Sequence, residues 1–165
     1  MKKMLVFLLT VSVLFTAMTA LTACEKQPET PVPDTPARQI AAEFQEQMKA
    51  SPETKPEELA VTLAELPWLP FAGASMPVEE GWLNGFDDEI TGFSEGAMFS
   101  PMIGAIPFVG YVFRLNDESD VPDFVARLKE SANLRWNVCT QADELVTESV
   151  GDTVLLVMSP LSFDE

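Results

Sequence analysis

The sequence predicts a single α+β domain: a mainly antiparallel sheet of about four strands with a helix packed on one face, preceded by N-terminal helices. Three patterns carry that expectation. Ala37, Ile40, Ala41, Phe44 and Met48 recur at helical spacing and form one apolar stripe. Two apolar, β-branched and aromatic runs, Ile106 to Leu115 and Thr153 to Ser159, flank a second helical pattern. Gly151-Asp152 separates two strand patterns by two residues, the length of a tight hairpin, with glycine where a positive φ is wanted.

Taken in order, the first helix is capped by Thr35, with Pro36 in the first turn, where a missing N–H costs nothing. Ser51-Pro52 ends it. A shorter helix runs from Glu57 to Glu65, its early glutamates matching the positive end of the helix dipole, and Leu66-Pro67 stops it. Residues 67–105 are rich in aromatics and methionine, and prolines and glycines keep regular elements there short. Strands are expected at Glu89 to Ser94 and Ala97 to Phe99. After the Ile106–Leu115 strand, Asn116-Asp117-Glu118-Ser119-Asp120 turns the chain and Asp120 caps a helix. Val121, Phe124, Val125, Leu128, Ala132 and Trp136 share one face of that helix. Leu145 to Val150 and Thr153 to Ser159 complete the hairpin. Val154-Leu155-Leu156-Val157-Met158 is apolar throughout, as a central strand covered on both faces requires.

The folded part, 37–165, is preceded by two segments of other character. Residues 1–23 open with Lys2 and Lys3 and continue in an apolar run that ends in small residues, the layout of a signal peptide. Thr10, Ser12, Thr16 and Thr19 interrupt the run, so an uncleaved membrane-spanning helix fits it less well. Leu21-Thr22-Ala23-Cys24 resembles the lipobox of bacterial lipoproteins. That resemblance implies cleavage before Cys24, lipidation of its thiol and acylation of the new amino terminus. The expected location is extracytoplasmic, at the outer face of the bacterial cell membrane. Residues 24–36 hold Pro28, Pro31, Pro33 and Pro36 and almost nothing apolar, which reads as a lipidated cysteine followed by an extended tether. The layout from Glu89 to Pro160 (strand, capped helix, hairpin) is similar to that of small Gram-positive lipoproteins whose C-terminal domain has no assigned function. Val109-Gly110-Tyr111-Val112-Phe113-Arg114 and Val150-Gly151-Asp152-Thr153-Val154-Leu155-Leu156-Val157 carry the likeness. It implies surface attachment and an α+β domain, and it supplies no catalytic residue.

Composition narrows the chemistry. The 165 residues hold 10 basic and 26 acidic side chains and no histidine. Removing residues 1–23, which contain two lysines and no acid, leaves 142 residues with a formal charge of −18. Such a polyanion is not a nucleic-acid binder, because phosphate contacts need clustered Lys and Arg. Without histidine, Ser-His-Asp and Cys-His catalysis and His-containing zinc sites are excluded. No nucleophile elbow and no phosphate loop occurs, and no cofactor is expected. Asp87-Asp88-Glu89 and the 116–120 run offer oxygens to calcium. The second lacks the glycine and glutamate of an EF-hand, having Val121 and Arg127 in those places. With Cys24 lipidated, Cys139 has no partner in the chain and reads as a small buried apolar side chain.

The expected function is therefore a non-enzymatic binding or accessory module of the cell envelope. It is held to the membrane through Cys24 and meets an envelope protein or an apolar ligand. Trp68, Phe71, Trp82, Phe86 and Phe99 are the candidate lining of a hydrophobic groove. The alternative is a carboxylate-based hydrolase of envelope polymers, which needs two acids at a set separation.

Overall fold

The computed structural model describes residues 34–103 and 105–163; the leader, Cys24 and most of the tether lie outside them. Two helices come first, α1 (Pro36–Ala50) and α2 (Pro56–Ala64). Strands β1 (Gly73–Val78), β2 (Gly81–Trp82), β3 (Glu89–Ile90), β4 (Glu95–Pro101) and β5 (Val109–Arg114) follow. A 3₁₀ turn, Glu118–Asp120, leads into α3 (Val121–Ser131), and β6 (Glu144–Val150) and β7 (Thr153–Ser159) close the chain. Among the described residues these form a five-stranded antiparallel sheet, ordered β1-β4-β5-β7-β6, and a two-stranded ribbon of β2 and β3.

Strand alternation sorts the side chains onto two faces. Ala97, Phe99, Val112, Leu155 and Val157 point to one, where Ile40, Phe44 and Met48 of α1 and Leu59 and Leu63 of α2 cover them. Tyr111, Phe113, Val154, Leu156 and Met158 point to the other, under Phe124 and Leu128 of α3 and Phe86, Ile90 and Phe93 of the 83–94 segment. Every residue of β7 is buried, and so is all of β5 up to Phe113. The domain is α+β with helices on both faces.

Several expectations shift by a physical cause that can be named. The fifth strand, β1, falls in the stretch that was expected to be loop-rich. It is an edge strand, paired only with β4, and an edge tolerates Pro77. The strand expected over Glu89–Ser94 stops at Ile90, since Gly92 (φ +93°) bends the chain and Ser94 bonds to the carbonyl of Arg114. β4 extends to Glu95–Pro101 because it has a partner on each side. The helix α3 ends at Ser131 and excludes Trp136. There the 85–87 loop captures the chain: Asp87 N–H donates to the Ser131 carbonyl (2.8 Å) and Asn133 N–H to that of Gly85 (2.9 Å).

Two capping expectations are corrected as well. Thr35 and Asp120 occupy N-cap positions, but neither side chain makes a capping bond. The capping carboxylate is Asp117, which accepts from Ser119 N–H (2.8 Å) at the head of the 3₁₀ turn. The hairpin turn is as expected: Val150 pairs with Thr153, and Gly151 takes a positive φ of 58°.

One close approach fixes the middle of the sheet. A Cβ at Gly110 would collide with the outer edge of the Phe99 ring, so glycine makes the room which that ring fills over β5. Gly110→Ala is therefore expected to cost about 1–3 kcal/mol, the range for overpacking a filled core. Urea midpoints test this, and in Phe99→Leu/Gly110→Ala the two losses should sum to less than the singles do, because the residues touch. For Asp117, the Ser119 backbone bond, aided by its side chain, holds the carboxyl below its ordinary 3.8. A depressed native value means that the contribution to stability is present above the unfolded value and fades as pH falls through the native one. Carboxyl NMR titration should show that depression, and Asp117→Ala should flatten the acid limb of the stability profile.

Candidate functional site

With both faces of the sheet covered, open surface remains at the strand ends. At one end lie the starts of β1, β5 and β6 and the finishes of β4 and β7, together with the start of α1. The ion pair between Arg38 of α1 and Glu144 of β6 (3.8 Å) places that helix start. We call this the entry end, since the described chain enters here at Asp34.

An open groove of about 630 Å³ runs between the loops of this end. Pro70, Ile106, Pro107 and Phe163 give it apolar walls, and Thr140, Gln141 and Asp143 a polar rim. A second depression of about 240 Å³ shares Pro70 and Phe163 with it and extends past Trp68 and Leu161 to Asp34 and Gln39. Prolines beside the strand ends keep the loops from continuing the sheet, because they cannot donate to a ladder. An aromatic stack supports the floor: Phe71 meets Phe163 edge-on (5.5 Å) and Phe108 obliquely (5.2 Å), and Phe108 meets Phe99 (5.8 Å).

The polar chemistry of this end is incomplete. Among the described residues, the buried side-chain oxygens without a hydrogen-bond partner are Thr35 Oγ1, Thr140 Oγ1 and Glu144 Oε1. All three belong to the entry end, and Thr140 lines the groove itself.

The five aromatic residues that the sequence offered as one groove do not lie together. Trp68 lines the smaller depression, and Phe71 lies beneath Phe163 of both. Phe99 is fully buried under α1 and α2, and Phe86 is buried on the opposite face against Tyr111 (5.5 Å). Trp82, 70 % exposed, stands on the β2–β3 ribbon away from both. Aromatic density reports burial; which face each ring serves depends on strand register, which the sequence does not print. The lining that sequence reasoning missed (Ile106, Pro107, Thr140, Gln141, Phe163) had one signal, the prolines Pro70, Pro107 and Pro160 beside strand ends.

Elsewhere the candidates are spent on structure. Tyr111, the one tyrosine, donates to the carbonyl of Asn84 (2.7 Å); burial pushes its hydroxyl far above the ordinary range, so it stays a donor. Asp87 accepts from Asn133 Nδ2 (2.7 Å), and no cluster of acidic or cysteine side chains suited to a metal occurs among the described residues. Asp88, Glu89, Glu130 and Arg127 border a pocket of about 120 Å³ between β3 and α3. Cys139 is exposed, against the expectation of burial, because it sits in the irregular loop between α3 and β6.

Comparison with family models, with curated proteins and with solved structures finds no match to this chain. The residues alone carry the functional argument. The exposure of Cys139 leads to a direct expectation. Its thiol should react with a disulfide reagent at nearly the same rate in native and urea-unfolded protein, whereas a thiol packed in the core would be slowed by orders of magnitude through the opening equilibrium.

Proposed function

We propose that the chain is a lipid-anchored, extracytoplasmic and non-enzymatic binding module of the cell envelope, with its ligand seat in the entry-end groove. The observation that carries the reading is the combination found there: apolar walls from Pro70, Ile106, Pro107 and Phe163 beside the polar residues Gln141 and Asp143. Apolar walls with a few placed polar groups are how small-molecule seats are built. The ligand class this fits is amphiphilic, an apolar body with a hydrogen-bonding head, either free or as the apolar segment of an envelope protein.

The lipobox-like Leu21-Thr22-Ala23-Cys24 supports the anchor, and the proline-rich 25–36 segment suits a spacer between lipid and domain. Against hydrolase chemistry, the groove lining among the described residues holds one carboxylate, Asp143, where two flanking acids are needed.

Two measurements test the parts separately. Intact-mass analysis of protein purified from bacterial membranes should give a chain that starts at Cys24 and bears acyl groups; a mass retaining residues 1–23, or an unacylated residue 24, would sink the anchor. The groove is tested with the apolar dye N-phenyl-1-naphthylamine. Ala105→Trp, which places a ring over the groove from an exposed position, should weaken dye binding roughly tenfold, about 1.4 kcal/mol. Unchanged dye affinity in that variant, at an unchanged urea midpoint, would remove the groove as the seat.

A further inference from the structure

The two ends of the sheet differ in kind. At the entry end the connecting segments are 66–72, 102–108, 133–143 and 160–163, whose charged residues are Asp143 and Arg135, joined by Asp34 and the Arg38–Glu144 pair at the start of α1 and β6. Asp164 and Glu165 follow outside the described residues, and Asp87, bonded to Ser131 and Asn133, borders this end from the 83–88 loop. At the other end, segments 51–55, 79–80, 115–120 and 151–152 carry seven carboxylates, among them Glu79, Glu80, Asp117 and Asp152, against Lys55.

Exposed apolar side chains follow the same division. Eight large hydrophobic residues are exposed among the described ones, and five stand on the entry-end segments: Trp68, Met102, Ile103, Val138 and Leu161. Ile103 is 86 % and Val138 99 % exposed, on two loops that reach outward from either side of the groove. Single exposed hydrophobes need no explanation, but five gathered on the less acidic end do.

We propose that this end docks into the headgroup region of the membrane that carries the anchor, with Ile103, Val138, Leu161, Met102 and Trp68 entering the interface and the groove opening toward lipid. The proposal rests on the lipid attachment at Cys24 put forward above. Asp34 lies ten positions after Cys24, a reach of at most about 35 Å. Because the described chain begins at the entry end, the anchor draws that end, rather than the acidic one, toward the bilayer. Electrostatics acts in the same sense, since an anionic leaflet repels the carboxylate-rich end more strongly than the entry end, whose few charges are of both signs. Tryptophan and aliphatic tips are the side chains that partition at the headgroup boundary. The amphiphile proposed for the groove would then enter from the bilayer without crossing water.

The test uses full-length lipidated protein in vesicles of phosphatidylethanolamine and phosphatidylglycerol, with or without lipid brominated near the top of the acyl chain. One variant keeps Trp68 as its sole tryptophan (Trp82→Phe/Trp136→Phe), and another keeps Trp82 (Trp68→Phe/Trp136→Phe). Flotation reads the anchor and fluorescence quenching reads the docking. Trp68 emission should fall by roughly half, because bromine quenches rings only where they reach the interface. Trp82, beside the Glu79-Glu80 turn, should be unaffected. Adding Ile103→Asp/Val138→Asp, both fully outside the core, should abolish the quenching of Trp68 while flotation persists. Protein that floats with Trp68 unquenched, or with both tryptophans quenched alike, overturns the docking and leaves the anchor standing. Protein that fails to float overturns both.

Discussion

The pairing of β5 with β7 is the constraint from which the rest of the structure follows. Val109 to Arg114 run antiparallel to Met158 to Thr153, and nearly every side chain on both strands is buried. Two adjacent strands withheld from water on both faces require two covers. The N-terminal helices supply one through Ile40, Phe44, Leu59 and Leu63, and α3 with Phe86 and Phe93 supplies the other. Removing either cover would expose a row of aliphatic side chains worth about 1.5–3 kcal/mol each when buried. The Phe99 ring over Gly110 shows how tightly the first cover fits. Function is thereby driven off the faces, leaving the loops at the strand ends as the places where a ligand can be met.

The two ends are finished differently. Arg114 closes the acidic one. Its guanidinium donates to the carbonyls of Pro52 (3.1 Å) and Thr54 (3.0 Å) and to Thr153, and lies 3.5 Å from Asp152. One side chain thus ties the α1–α2 turn to the β6–β7 hairpin, using planar geometry that lysine cannot copy. At the entry end, Thr140 and Glu144 each leave an oxygen unpartnered, and the loops part to form the groove. An end with satisfied polar groups is rigid scaffold; an end with unmade bonds and open apolar walls can answer to a ligand.

How much of this was legible in the sequence depends on how local the signal is. Helix α1 and the β6–β7 hairpin could be read because a stripe at 3.6-residue spacing and a Gly-Asp turn are complete within a few residues. β1 could not, since Pro77 argues against a strand until its place at the edge is known. Trp136 continues the periodicity of α3 and still lies outside the helix, because backbone groups of Gly85 and Asp87, far off in sequence, end it first. The same limit broke the candidate groove. Phe86 and Phe99 look alike as sequence and serve opposite cores: the β4–β5 register turns Phe99 to one, and a bridge to Ala132 beyond α3 holds Phe86 to the other.

The acidity of the chain also gains a physical role from this arrangement. On the proposed reading, a mature domain of charge −18 would be pushed from an anionic leaflet, so electrostatics cannot be what holds it there. Attachment then falls to the acyl chains of Cys24, at about 0.8 kcal/mol per buried methylene, two or more of which hold where one would not. Repulsion is left a different task. Because the carboxylates crowd the end opposite the point where the chain enters, the field acts as a torque rather than as a uniform push. On that proposal it would turn the acidic end, tied together by Arg114, outward and present the groove inward. Charge that would be a liability for adhesion becomes the means of orientation.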